Sequence, residues 1–176
     1  HFSDNRYVSK LESTADGEIR FSPGWSEAPF RFTRSLTTLD DKGTPQFDDD
    51  LWKQLAELDL LQDWETSPDG STWYLSSIVN GPVYNQSILP PAQMIGDITV
   101  QYPASWPIEP QRNLSAFTVA DERTVLIAFG SGVVVRLHNN GTPSDFSDDQ
   151  WDRFDLPTGI GAVDLVQDSG NRIWII

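Results

Sequence analysis

The sequence contains no cysteine. That excludes a disulfide framework, a thiol nucleophile and a thiolate metal site. Basic residues are scarce: 12 Lys and Arg stand against 26 Asp and Glu, for a formal net charge of −14. Such a surface repels phosphate backbones and anionic membranes, which argues against nucleic acid as a partner. Long apolar runs are missing too. The longest, VLIAFGSGVVV at 125–135, is broken by Gly and Ser, and a spanning helix needs about 20 apolar residues. Direct membrane insertion is therefore not expected. Only two histidines are present, His1 and His138. A Ser-His-Asp triad would have to centre on His138, and no Gly-x-Ser-x-Gly elbow accompanies it. The glycine pairs at 130–132 and 159–161 lack the third glycine and the helix start of a phosphate cradle. They read as turns, and no catalytic residue is assigned.

What the chain does have is bulk and punctuation. Seven Trp, nine Phe and four Tyr are spread among 12 Gly and 12 Pro, a pattern of short strands joined by turns. A chain of 176 residues fits one domain or two small ones. Four stretches share an aspartate-led turn running into an alternating apolar segment: ADGEIRFS, PDGSTWYLSS, ADERTVLIAF and DSGNRIWII. Their leading aspartates, Asp16, Asp69, Asp121 and Asp168, are spaced 53, 52 and 47 residues apart. A second duplication lies between them. DDKGTPQFDDDLW at 40–52 and HNNGTPSDFSDDQW at 138–151 share Gly-Thr-Pro, a Phe, paired Asp and a Trp. Gly43 and Gly141 are 98 residues apart, Trp52 and Trp151 are 99 apart, so one residue is inserted within the loop.

Each unit reads as four strands, because β-branched and aromatic residues alternate with polar ones. One segment competes. Residues 47–64 place Leu51, Leu55 and Leu58 near helical spacing behind an acidic cap. Its duplicate carries Pro157 and Gly159, so a strand is favoured there, with one helical turn around 53–59. Four antiparallel strands per 40 to 50 residues is the period of a propeller blade. The expected fold is all-β and β-propeller-like, with blades near 7–56, 61–104 and 114–156 and a partial one at 160–176. The large aromatics then pack between sheets, with Trp73 and Trp174 at equivalent second-strand positions. The third strand of the second unit is expected at PVYNQS, 82–87, followed by a long proline-rich path to ITVQYP.

The last unit, WDRFDLPTGIGAVDLVQDSGNRIWII, resembles the two-component regulator propeller repeat. Trp151, Phe154, Leu156, Pro157, Val163, Leu165, Asp168, Gly170, Trp174 and Ile175 fall at the positions of that repeat. The resemblance covers 26 residues and is degenerate elsewhere, since Asp121-Glu122 lacks the glycine. It implies a blade rather than an activity, and it implies the extracytoplasmic sensor regions in which the repeat occurs.

The acidic loops are the candidate site. Asp40, Asp41, Asp48, Asp49 and Asp50 in one copy, and Asp145, Asp148 and Asp149 in the other, could offer oxygens to Ca2+. The EF-hand spacing fails: with Gly43 or Gly141 as the sixth position, Thr38 or Arg136 comes first and no Glu is twelfth. The alternative is a solvated turn built on Asn-Gly and Lys-Gly. The expected function is non-catalytic ligand or protein binding, in an extracellular or periplasmic sensor or surface protein. Rival readings are a propeller-fold enzyme, such as a polysaccharide lyase or hydrolase, and an adhesive scaffold. The chain opens with His1 and is expected to be a piece of a longer polypeptide. The remainder of that polypeptide, or another chain, would supply the strands that complete the sheet.

Overall fold

The computed structural model describes residues 6–13, 19–25, 33–40, 51–59, 61–80, 85–96, 98–103, 113–142, 145–168, 170 and 172–176. They fall into two compact units, His1–Leu61 and Gln62–Ile176. The all-β expectation holds: the described elements are strands in antiparallel sheets, and no helix occurs among the described residues.

In the first unit β1 (Arg6–Ser13), β2 (Ile19–Trp25), β3 (Thr33–Asp40) and β4 (Leu51–Asp59) form one sheet in chain order. β4 is the segment with competing helical spacing, and the helical turn expected around 53–59 is absent because pairing with β3 keeps those residues extended. It pairs with β3 from Asp40 opposite Leu51 to Thr33 opposite Asp59, with a register shift between Leu36 and Thr37. Phe21 and Leu36 are buried in this sheet's unit, whereas Leu11 and Leu51 are exposed.

The second unit opens with β5 (Leu61–Thr66), β6 (Thr72–Asn80), β7 (Asn85–Ile88), β8 (Ala92–Ile95) and β9 (Ile98–Gln101). Their order is β5-β6-β8-β9, with β7 also on β6. Here the sequence expectation needs correction. The third position is filled by two short strands: β7 pairs with Ser77–Asn80, and β8 pairs with Thr72–Tyr74. Pro90 and Pro91 sit between them and carry no N–H for the ladder. Partner numbers sum to 165 across β6–β7 (77 and 88) and to 166 across β6–β8 (72 and 94). The two are thus one strand, slipped by a single residue at the diproline, as at a bulge.

Next comes the sheet β10 (Leu114–Asp121), β11 (Thr124–Phe129), β12 (Val133–His138) and β13 (Gln150–Asp155), again in chain order. Both acidic stretches therefore occupy one topological place, between the third and fourth strands of a sheet. β11 is buried along its whole length, and alternation sends its side chains to two cores. Val125, Ile127 and Phe129 join Val133, Val135, Leu137, Trp73, Leu75 and Tyr102 in one cluster. Leu126 and Ala128 join Val134, Ala116, Ala162 and Leu165 in another. The sheet is thus sandwiched, with β6 against one face and the last strand pair, β14 (Leu165–Gln167) and β15 (Ile173–Ile175), against the other. Trp73 is fully buried and stacks on Tyr102, ring centroids 5.4 Å apart. Trp174 departs from the expected packing role: it is 55% exposed, because its face of β14–β15 has no described sheet against it.

Candidate functional site

The second acidic loop is held by its own short side chains. The Ser147 N–H and hydroxyl donate to Asp145 Oδ1 at 3.0 and 2.6 Å, which keeps that carboxyl below its usual pKa. The Thr142 hydroxyl lies 3.0 Å from both oxygens of Asp148. Asn140 donates through Nδ2 to the Asp148 carbonyl. Gly141 has φ +87°, the left-handed conformation expected of Asn-Gly, and a Cβ there would meet the Arg123 guanidinium at 3.1 Å. Asp145 and Asp148 are thus committed to turn bonds. Among the described residues no three ligating side chains gather as a metal site. Of the first loop, Asp40 ends β3 opposite Leu51, while Asp41, Asp48, Asp49 and Asp50 lie outside the described residues.

Asp149 differs from its neighbours. Neither carboxylate oxygen is exposed, and neither completes a hydrogen bond. Burial raises its pKa, with Asp148 and Asp145 adding to the rise; the Asn140 backbone and His138 partly oppose it. Beside it runs a buried polar chain. The Gln93 amide donates to Ser71 Oγ at 3.0 Å, and Asn139 Nδ2 donates to Gln93 Oε1 and to the Tyr102 hydroxyl. Burial, then the Asp149 charge, pushes the Tyr102 phenol well above its normal pKa, with the Asn139 bond opposing.

A polar groove of about 260 Å3 opens beside the loop, lined by Asp121, Thr124, Arg136, His138, Gln150, Gln167 and Ile173. The register explains it. Asp121 faces Thr124, Thr124 faces His138 and His138 faces Gln150, so one row crosses all four strands. The adjoining row carries Leu126, Arg136 and Asp152. On the same face, Ala128 and Val134 are closed over by Ala162 and Leu165. Thus β12 is apolar on both faces until Arg136 and His138, and there the β14–β15 pair no longer seals the sheet.

Each polar group in the groove is positioned by a neighbour. The Thr124 hydroxyl lies 2.9 Å from His138 Nδ1. Arg136 Nε donates to Asp152 Oδ2 at 2.9 Å, and Nη2 donates to the same oxygen. This pair lowers the Asp152 pKa, helped by Gln150. The guanidinium also lies over Phe154, 5.7 Å from the ring centroid. Asp121 Oδ1 accepts the Arg123 N–H at 2.8 Å. His138 Nε2, Arg136 Nη1 and Asp121 Oδ2 keep hydrogen-bonding capacity. A hydroxyl beside an imidazole is the start of a nucleophile–base pair. Thr124 is only 7% exposed, however, and no described carboxylate hydrogen-bonds His138 to orient it. Of the groove residues, sequence reasoning had singled out only His138 and the turn residue Asp121. The available signal was the interruption of an apolar β12 by Arg136 and His138, two positions apart on one face.

No family model matches the chain, and no curated protein matches it. A search of solved structures finds one described as PorZ, an essential bacterial surface component of the type-IX secretion system of Porphyromonas gingivalis. The two are similar with a TM-score of 0.55 at 14% sequence identity. The likeness covers 96% of this chain and 24% of the other, so this chain spans about a quarter of that protein's length.

Proposed function

We propose that this chain is part of a non-catalytic recognition module of β-propeller type, carried by a larger extracytoplasmic sensor or surface protein, with its ligand site in the His138 groove. The observation that carries this reading is the polar row from Asp121 to Gln150, placed where two packed sheets diverge. Its groups are fixed by protein partners and retain spare donors and acceptors, an arrangement that orients a small polar ligand. The sheet-after-sheet packing and the resemblance of 151–176 to a propeller repeat support the architecture. The surface role in the structural neighbour's description supports the location.

The test is an NMR titration of the chain with neutral sugars and, separately, free amino acids, following the His138 imidazole. One class should shift that signal at concentrations up to about 50 mM, the range in which weak sites are detected. His138→Leu should abolish the accompanying shifts of the Leu137 and Gln150 amides, which flank and face that position, with the fold intact. Silence toward both classes would contradict the reading. So would hydrolysis of an activated ester that disappears in His138→Leu, which would favour the enzyme.

A further inference from the structure

The turn after β12 reads Asn139-Asn140-Gly141. Asn140 and Gly141 are both exposed, whereas Asn139 is buried. An asparagine carboxamide can be attacked by the peptide nitrogen that follows it, and glycine has no Cβ to shield that nitrogen. The sequence holds one other Asn-Gly, at 80–81. Asn80 is the last residue of β6 and pairs with Asn85, so its backbone is held in a ladder. Asn140 lies beyond the β12–β13 ladder, which ends at His138 opposite Gln150.

The surroundings of Asn140 suit this reaction. Gly141, at φ +87°, sets its α-carbon under the Arg123 guanidinium: a Cβ there would lie 3.1 Å from Cζ and 3.3 Å from Nε and Nη2. Among the described residues no carboxylate forms an ion pair with Arg123. Its charge is therefore available to the oxyanion that forms on Asn140 Oδ1 when the carboxamide is attacked. Asn139 Oδ1 accepts the Gly141 N–H, which leaves electron density on the attacking nitrogen. The same carboxamide also closes the acidic loop, because Asn140 Nδ2 donates across it to the Asp148 carbonyl.

We infer that Asn140 is the chain's site of spontaneous deamidation through a succinimide, that Arg123 promotes the reaction, and that the reaction releases the acidic loop. The Gly141 nitrogen bonds to Asn140 Cγ, the Cγ–Nδ2 bond breaks, and Nδ2 leaves as ammonia with the proton given up by Gly141. Water then opens the ring at either carbonyl, giving aspartate or isoaspartate. Either product has lost the donor to the Asp148 carbonyl. Each also adds a carboxylate to the loop of Asp145, Asp148 and Asp149, where like charges repel. Isoaspartate further lengthens the main chain by one carbon at the Gly141 turn. The inference does not rest on the groove ligand.

The test is peptide mapping by mass spectrometry of the whole folded chain, held for weeks in warm, mildly alkaline buffer. Asn140 should convert ahead of Asn80 by about tenfold or more, since Asn80 must first leave its ladder. Isoaspartate should appear together with aspartate. Arg123→Gln should slow conversion at Asn140 by about threefold, the effect of one exposed charge, and leave Asn80 unchanged. In the converted protein, and in Asn140→Asp, amide exchange should quicken at Asp145 and Ser147, whose N–H groups are bonded within the loop. An intact Asn140, or one outpaced by Asn80, would overturn the proposal. An equal rate in Arg123→Gln would overturn the part given to the guanidinium, and unchanged exchange would overturn the release of the loop.

Discussion

Aspartate supplies most of the local instructions in this chain, and its effect depends on where each carboxyl sits. Asp69, Asp121, Asp145 and Asp168 each accept a backbone N–H two residues ahead, from Ser71, Arg123, Ser147 and Gly170. This is the Asx-turn chemistry that made the repeat visible. Asp149 has no such bond, and burial raises its pKa. A carboxyl with a raised folded-state pKa favours the fold when protonated. That contribution is complete below 3.8 and is lost as pH rises through the folded value. Asp149→Asn should therefore raise the thermal midpoint at pH 7 and change it little near pH 3, as read by calorimetry at both pH values. Equal shifts at the two would contradict the assignment. The tryptophans give a second contrast. Trp73→Ala should cost about 3–5 kcal/mol in urea unfolding, the range for a fully buried aromatic. Trp174→Ala should cost about 1 kcal/mol or less, since the indole is exposed and what is lost is its Nε1 bond to Asp168, 3.0 Å, and the Arg172 guanidinium over its ring.

At the scale of elements, the hairpin between β11 and β12 shows how tightly neighbouring segments are matched. Gly132 has φ +82°, and a Cβ there would lie 2.8 Å from the Ile160 carbonyl oxygen. Gly132→Ala combines left-handed strain with a backbone clash, so it should destabilise by about 1–3 kcal/mol; an unchanged midpoint would show that 160–162 does not approach this turn. Most strands were legible in the sequence because β-branched alternation marks them directly. β4 was legible only through its duplicate, since Leu51, Leu55 and Leu58 satisfy helical spacing equally well. The β7–β8 strand was not legible. Two prolines split it, and the residues on either side became one strand only through pairing with β6. The groove was hidden for a similar reason. Asp121, Thr124, His138 and Gln150 are scattered along the chain and share a row only once the register is known. The exposure of Trp174 could not be read from the sequence at all, because an aspartate-led turn runs into an apolar strand there as it does before the buried Trp73.

At the scale of the molecule, the account depends on sheets repeated along the chain and packed face to face within Gln62–Ile176. The likeness to a much longer bacterial surface protein extends over 96% of this chain. Nuclear Overhauser contacts of the Trp73 indole test this packing most directly. The account predicts contacts from that ring to methyl groups of Val125, Ile127 or Val135 across the sheet boundary, and none from Trp174 to the same methyls. A Trp73 ring without contacts to any of the three, and open to solvent, would contradict the stacked-sheet account.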